Sequence, residues 1–340
     1  MRSSREREME GEKGRVCVTG GTGYIGSWLI MRLLERGYSV RTTMRSNPGH
    51  TKDIGFLTAL PGASEKLQIF NADLSIPESF AAAIEGCIGV FHVATPVDFE
   101  DKEPEEVVTK RSIDGALGIL NACLTSQTVK RVVYTSSAAA VLYSGKDVDD
   151  EADESVWSDA DFIKALKTHR ASYALSKTLT EKAVLEFGEK HGLELDVVTI
   201  IPSLVIGPFI CPKLPSSVSV GLAMILGNED AYSFLALAAS SMVHVDDLAR
   251  AHIFLLEYPN AKGRYICSSD GMTIQQMSKF LAVNYPEFQI PTPDSMKKYG
   301  GFKTQGLSSK KFLDSGFKYK YGFKEMFDGT VQCCREKGYL

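Results

Sequence analysis

Short apolar runs alternate with stretches whose apolar residues recur every three or four positions, and the two patterns take turns from residue 15 to residue 202. RVCVT (Arg15–Thr19) reads as a buried strand running into a glycine cluster. Residues 25–35 then carry Ile25, Trp28, Leu29 and Leu33 at helical spacing, with Gly37 as a stop. Further strands are predicted at 39–44, 67–70, 89–93, 131–134 and 196–200, and helices at 77–84, 105–123 and 173–191. Strand following helix in this rhythm predicts βαβ units, hence an α/β fold with a Rossmann-type doubly wound parallel sheet. After Pro202 the pattern breaks into short pieces separated by Pro208, Pro212, Pro215, Pro259, Pro286, Pro291 and Pro293, which predicts a smaller, mixed C-terminal lobe. The expected division is a tail at 1–13, a sheet domain at 14–202 and a lobe at 203–340, with residues 242–257 (a strand and a helix) returning to the sheet domain.

The glycine cluster is the first sign of chemistry. Gly20, Gly23 and Gly26, with Tyr24 and Ile25 between them, link the first strand to the first helix. In that context Gly20 permits the turn, Gly23 lets backbone approach a pyrophosphate, and Gly26 allows helix and strand to pack closely. The helix N-terminus adds N–H groups and a positive dipole end. The second strand ends in Thr42-Thr43-Met44-Arg45, without a carboxylate to read a ribose 2′-hydroxyl. Arg45, helped by Lys52, instead suits a 2′-phosphate, so NADP(H) is the expected cofactor. Asp73, after the third strand, is placed either to accept from the adenine amino group or to cap its own loop.

Tyr173 and Lys177 stand four apart on one helix face, and Ser137 follows the fifth strand. Hydride delivery to a ketone leaves an alkoxide that needs a proton. A tyrosine supplies it if a neighbouring lysine lowers its pKa from near 10. Tyr173 is thus the expected general acid, Lys177 its tuner, and Ser137 the donor that polarises the carbonyl. For a flat, apolar ligand the candidate pocket residues are Val97, Leu142, His169, Phe209, Leu214, Phe234 and Met242. Asp246 is expected to cap the helix that follows it.

Composition narrows the class without changing this reading. With 44% apolar residues in 340, the chain is neither disordered nor a small disulfide framework, and a net charge of −4 gives no reason to expect nucleic acid or an anionic membrane as partner. Seven cysteines without a CxxC read as buried thiols of a reducing compartment, and no metal is expected. No run reaches the roughly 18 to 20 apolar residues that span a bilayer. The first fourteen residues alternate Arg and Glu without an apolar signal core, so cytoplasm is the expected location.

TGGTGYIG, VFHVATP, VYTSSAA, YALSK, TIIPSLVIGP and MVHVDDLARAH together resemble the extended short-chain dehydrogenase/reductases, and more narrowly the plant dihydroflavonol 4-reductase group. The resemblance runs over nearly all of residues 14–340; LPGASEKL, SFAAAIEGC and CCREKGYL are similar to an isoflavonoid branch of it. It implies an NADPH-dependent reductase, of flavonoid or isoflavonoid biosynthesis, that turns a small phenolic ketone into its secondary alcohol. A monomer is expected, with transient association among pathway enzymes. The family's catalytic set carries over onto Ser137, Tyr173 and Lys177. Its cofactor contacts carry over onto the glycine loop, Arg45, Asp73 with Leu74, Val93-Ala94-Thr95, and Pro202 to Val205. In dihydroflavonol reductases an asparagine and a glutamine read substrate hydroxyls; the matching positions here are Leu142 and Ser241, which favours a differently substituted ligand. Asp114 sits where many extended reductases carry an asparagine, leaving a relay role open. The competing expectations are dihydroflavonol reduction, a same-fold dehydrogenase of another hydrophobic substrate, and a catalytically silent NADP-binding regulator.

Overall fold

The computed structural model describes residues 13–45, 53–96, 103–145, 151–165, 171–238, 241–299 and 306–340. Seven strands form one parallel sheet: β1 (Arg15–Thr19), β2 (Ser39–Met44), β3 (Leu67–Asn71), β4 (Gly89–His92), β5 (Arg131–Thr135), β6 (Asp196–Pro202) and β9 (Gly263–Cys267), in the order β3-β2-β1-β4-β5-β6-β9. Both faces are covered, so the strands read as continuous apolar runs. On β1, Val16 and Val18 enter one core while Cys17 enters the other. The first core takes Trp28, Leu29 and Leu33 from α1 (Tyr24–Glu35), and Leu248 and Ile253 from α4 (Val245–Glu257). The opposite core takes Ile119, Leu120 and Cys123 from α2 (Glu105–Ser126), and Val184 from α3 (Ala171–His191).

The chain leaves β1 toward β2 and β3, then crosses back to β4 on the other side of β1. That reversal opens a crevice at the carboxyl ends of the strands, where open α/β sheets bind ligands. All seven cysteines are buried free thiols.

Two returns of the chain differ from the sequence reading. Met242–His244 (β8) does not join the main sheet; it pairs in parallel with β7 (Leu204–Ile206) in a separate two-stranded ladder. Only α4 packs back on the sheet, through Leu248 and Ile253. The strand that does return is β9, beside β6, so the sheet does not end at residue 202. Nor does Asp246 cap α4. The His244 ring does so, Nδ1 accepting from the Asp246 N–H at 3.0 Å. Asp246 instead fastens α4 to α1, taking the Trp28 indole N–H at 3.0 Å and pairing with Arg32.

Candidate active site

A cavity of about 1000 Å³ occupies the crevice. It is lined by the glycine loop, the ends of β4, β5 and β6, the Tyr173–Lys177 face of α3, and the C-terminal lobe from Cys211 to Ser217 with Phe234, Leu237 and Ser241. Its volume lies at the upper end of ordinary ligand sites, which suits two ligands side by side.

In the glycine loop the backbone shape dictates the residue. Gly20 has φ +73°, and a Cβ there would sit 3.0 Å from Ala94 Cα. A Cβ on Gly26 would come within 2.5 Å of Gly20 O, and one on Gly21 within 2.0 Å of Thr42 Oγ1. Gly21 was not among the expected positions, because its constraint comes from β2 across the sheet. Gly23 faces the cavity, with its N–H bonded to Gly20 O at 3.0 Å. Behind the loop, Thr19 Oγ1 accepts from both Val93 N–H and Ala94 N–H, at 3.1 and 3.0 Å. Both its lone pairs are taken, so its O–H donates to His92 Nδ1 at 2.9 Å and His92 carries its proton on Nε2. Burial, with Lys177 nearby, pushes His92 down to about 3.

Ser136 and Ser137 follow directly on β5, which ends at Thr135, and take different partners. Ser136 also borders the cavity, but its Oγ is engaged, donating to Glu181 Oε2 at 2.6 Å. Ser137, in extended backbone, caps the short helix Ala138–Ala140 by accepting from Ala139 N–H at 3.2 Å. That contact uses a lone pair and leaves the hydroxyl hydrogen to donate into the cavity that Ser137 lines.

Lys177 is buried, its Nζ donating to Thr95 Oγ1 at 2.8 Å and to Thr135 O at 2.9 Å. Two of three donors are thereby fixed, and the third is left for the cavity. Burial pulls its pKa down to about 7, against the carboxylate of Glu181, which raises it. Thr135 is held in turn by His252, whose Nδ1–H donates to Leu248 O while Nε2 accepts the threonine hydroxyl, both at 2.8 Å. Tyr173, one turn before Lys177, is half-buried in the same wall.

Glu181 and Arg264 are the supporting groups that the sequence did not point to. Fully buried, Glu181 also accepts from Thr199 Oγ1 at 2.7 Å and from Arg264 Nε at 2.9 Å. Arg264 stacks 3.5 Å from the Trp157 ring centroid and donates to Glu154 O and Val156 O. A buried charge needs such pairing, because unpaired it costs several kcal/mol, roughly 3 to 5 when one partner is removed.

Of the expected cofactor residues, Gly20, Gly23, Tyr24, Ile25, Gly26, Val93, Thr95, Tyr173, Lys177, Pro202 and Val205 line the cavity. Arg45, Asp73, Leu74 and Ala94 stand behind or beside it; Lys52 lies outside the described residues. Asp73 behaves as a loop cap, its Oδ1 accepting from Ser75 N–H at 2.9 Å and Ser75 Oγ at 2.6 Å. These bonds hold its carboxyl below the usual range, with Arg45 and Arg111 adding to the effect. Among the substrate candidates Leu142, Leu214, Phe234 and Ser241 line the cavity, while Val97 and His169 lie outside the described residues. Phe209 and Met242 do not line it: both are core of the C-terminal lobe, 2% and 0% exposed. Phe209 is enclosed by Tyr24 and Tyr339, and Met242 sits in the β7–β8 ladder. Asp114 is exposed and paired with Lys110; on the α2 face that packs against α3, Ser112 Oγ accepts from Ser176 Oγ at 2.9 Å.

A glycine-turned strand–helix junction beside a serine, tyrosine and lysine defines a nucleotide-dependent oxidoreductase. Residues 16–267 match the NAD dependent epimerase/dehydratase family, and the chain belongs to it. It is 56% identical to vestitone reductase of Medicago sativa over 96% of this chain and 99% of that one. The crystal structure of the alfalfa vestitone reductase superposes with a TM-score of 0.85, covering 96% of this chain and 100% of that one. Dihydroflavonol 4-reductase of Callistephus chinensis is 48% identical, over 96% of this chain and 87% of its own length. Gre2 of Candida albicans in complex with NADPH matches at 26% identity and a TM-score of 0.79, over 95% of this chain and 99% of that one. NADP(H) is the cofactor of this site, and the open face at Gly23 with the cramped backs of Gly21 and Gly26 fits a phosphate cradle.

Proposed function

We propose that the protein reduces the ketone of a flavonoid or isoflavonoid, vestitone-like, to the secondary alcohol. The observation that carries this is the convergence of Ser137, Tyr173 and Lys177 on the cavity that the glycine loop also lines, in a chain so similar to vestitone reductase. Held along the glycine loop of Gly20, Gly23 and Gly26, NADPH would supply the hydride that the carbonyl carbon takes up. Ser137 donates its hydroxyl hydrogen to the carbonyl oxygen and fixes the approach. As charge grows on that oxygen, the Tyr173 phenol releases its proton to it, and the new O–H bond completes the alcohol. The Lys177 ammonium stabilises the phenolate that remains until solvent returns the proton. Arg45 is assigned to the 2′-phosphate.

Leu142 favours the isoflavonoid over the dihydroflavonol reading. It lines the cavity and offers no hydrogen bond, so a ligand hydroxyl buried against it loses roughly 1 to 3 kcal/mol. The seven buried thiols fit a reducing compartment, and we place the protein in the cytoplasm as a monomer. Among the described residues no helix is long and apolar enough to cross a membrane. The test is NADPH oxidation with vestitone and a dihydroflavonol offered in parallel, products identified by mass. Preferred turnover of vestitone is expected; preferred turnover of the dihydroflavonol overturns the argument from Leu142.

A further inference from the structure

The cavity wall between Cys211 and Pro215 belongs to a segment without helix or strand. Pro208, Pro212 and Pro215 remove three of its backbone donors, so it depends on side chains from elsewhere. One side chain holds it at two points. The Tyr339 phenol donates to Pro212 O at 2.9 Å and accepts from Leu214 N–H at 3.0 Å, bracketing Lys213.

Tyr339 is itself aimed by backbone. The last helix, α6 (counting Ile274–Asn284 as α5), spans Phe323–Glu336 and stops at Gly338, whose φ of +75° is left-handed. Gly338 N–H bonds to Arg335 O at 3.1 Å and Tyr339 N–H to Cys334 O at 2.8 Å, the paired bonds of a Schellman turn. The turn folds Tyr339 back beside Phe209, with ring centroids 6.0 Å apart. Phe209 is fixed by Cys333, whose Sγ lies 3.3 Å from both its N and its O.

We propose that Tyr339 is a positioning residue for the ketone: its phenol sets the Pro212–Leu214 wall at the distance a polycyclic ligand needs. The inference rests on the reductase reading above. None of these contacts involves Ser137, Tyr173 or Lys177, and the ring contact that leads through Phe209 to Tyr24 of the glycine loop survives loss of the phenol oxygen, so the effect falls on substrate binding.

Tyr339→Phe keeps the ring and deletes both bonds. With vestitone, KM is expected to rise about tenfold, with kcat, NADPH affinity and the melting midpoint unchanged. An unchanged KM overturns the proposal, as does a KM that moves only together with NADPH affinity and the melting midpoint. Hydrogen exchange needs no substrate: the Leu214 amide should exchange faster in the variant, and equal rates contradict the strut. Faster exchange in a protein that turns over no ketone would overturn the reductase reading and keep the strut.

Discussion

Ser136 and Glu181 are joined by a 2.6 Å hydrogen bond between neighbours of the proposed catalytic residues: Ser136 precedes Ser137, and Glu181 lies one turn beyond Lys177. The carboxylate therefore ties the end of β5 to α3, and Arg264 of β9 closes the third side. This buried contact thus links the segment that carries Ser137 to the helix that carries Tyr173 and Lys177.

Ser136→Ala removes one of the two partners of Glu181 Oε2, which keeps Arg264 Nη2 at 3.3 Å, and should cost about 0.5 to 1.5 kcal/mol of stability. Glu181→Gln should cost more, because Arg264 stays buried without its counter-charge. Glu181 holds the Lys177 pKa up, so its neutralisation should move the Lys177-dependent limb of the kcat profile to lower pH. A limb that stays in place, in a folded variant, contradicts the coupling.

The histidines set an acid limit. Burial pushes His92, His244 and His252 down to about 3, 4 and 4, while an unfolded histidine titrates near 6.5. Below 6.5 the unfolded chain binds more protons than the folded one, so stability falls as pH drops from 6.5 toward 4, by on the order of a few kcal/mol. Lys177 acts with the same sign in a higher window. Held near 7, it makes stability rise with pH from about 7 to its unfolded value near 10.4. Denaturant melts at pH 7.5 and 4.5 check the histidine limb; equal midpoints contradict it.

Arg45→Glu places a carboxylate where the 2′-phosphate is assigned. NADPH affinity should fall on the order of a hundredfold, with NADH affected far less. Titration of both nucleotides decides it, and equal losses would remove Arg45 from that role.

Gly26→Ala brings a methyl group within 2.5 Å of the Gly20 carbonyl. The loop must shift, and NADPH affinity should drop at least tenfold. Calorimetric titration with unchanged affinity would show that the loop has room the structure denies it.

Local pattern made much of this readable. RVCVT, SVRTTM and the glycines between them encode β1, β2 and the loop within thirty residues, and Tyr173 and Lys177 share a face through spacing alone. What stayed hidden was non-local. The Glu181–Arg264 pair spans 83 positions, and neither residue carries a local sign of burial. β9 is only five residues long and sits among proline-broken pieces, so period gave no signal. Phe209 and Met242 are apolar residues in the lobe, and apolarity does not distinguish a pocket wall from a core. Asp246 looked like a cap because capping statistics favour aspartate, yet the preceding histidine ring took the N–H.

In the proposed reaction Tyr173 delivers a proton to the ketone oxygen during NADPH-dependent reduction. Tyr173→Phe keeps the ring in the wall and removes only the acid. Single-turnover reduction of vestitone by the NADPH-loaded variant is the measurement that tests it. NADPH should bind as in the parent protein and the rate should fall by about 10² to 10⁴. Turnover near the parental rate would contradict it.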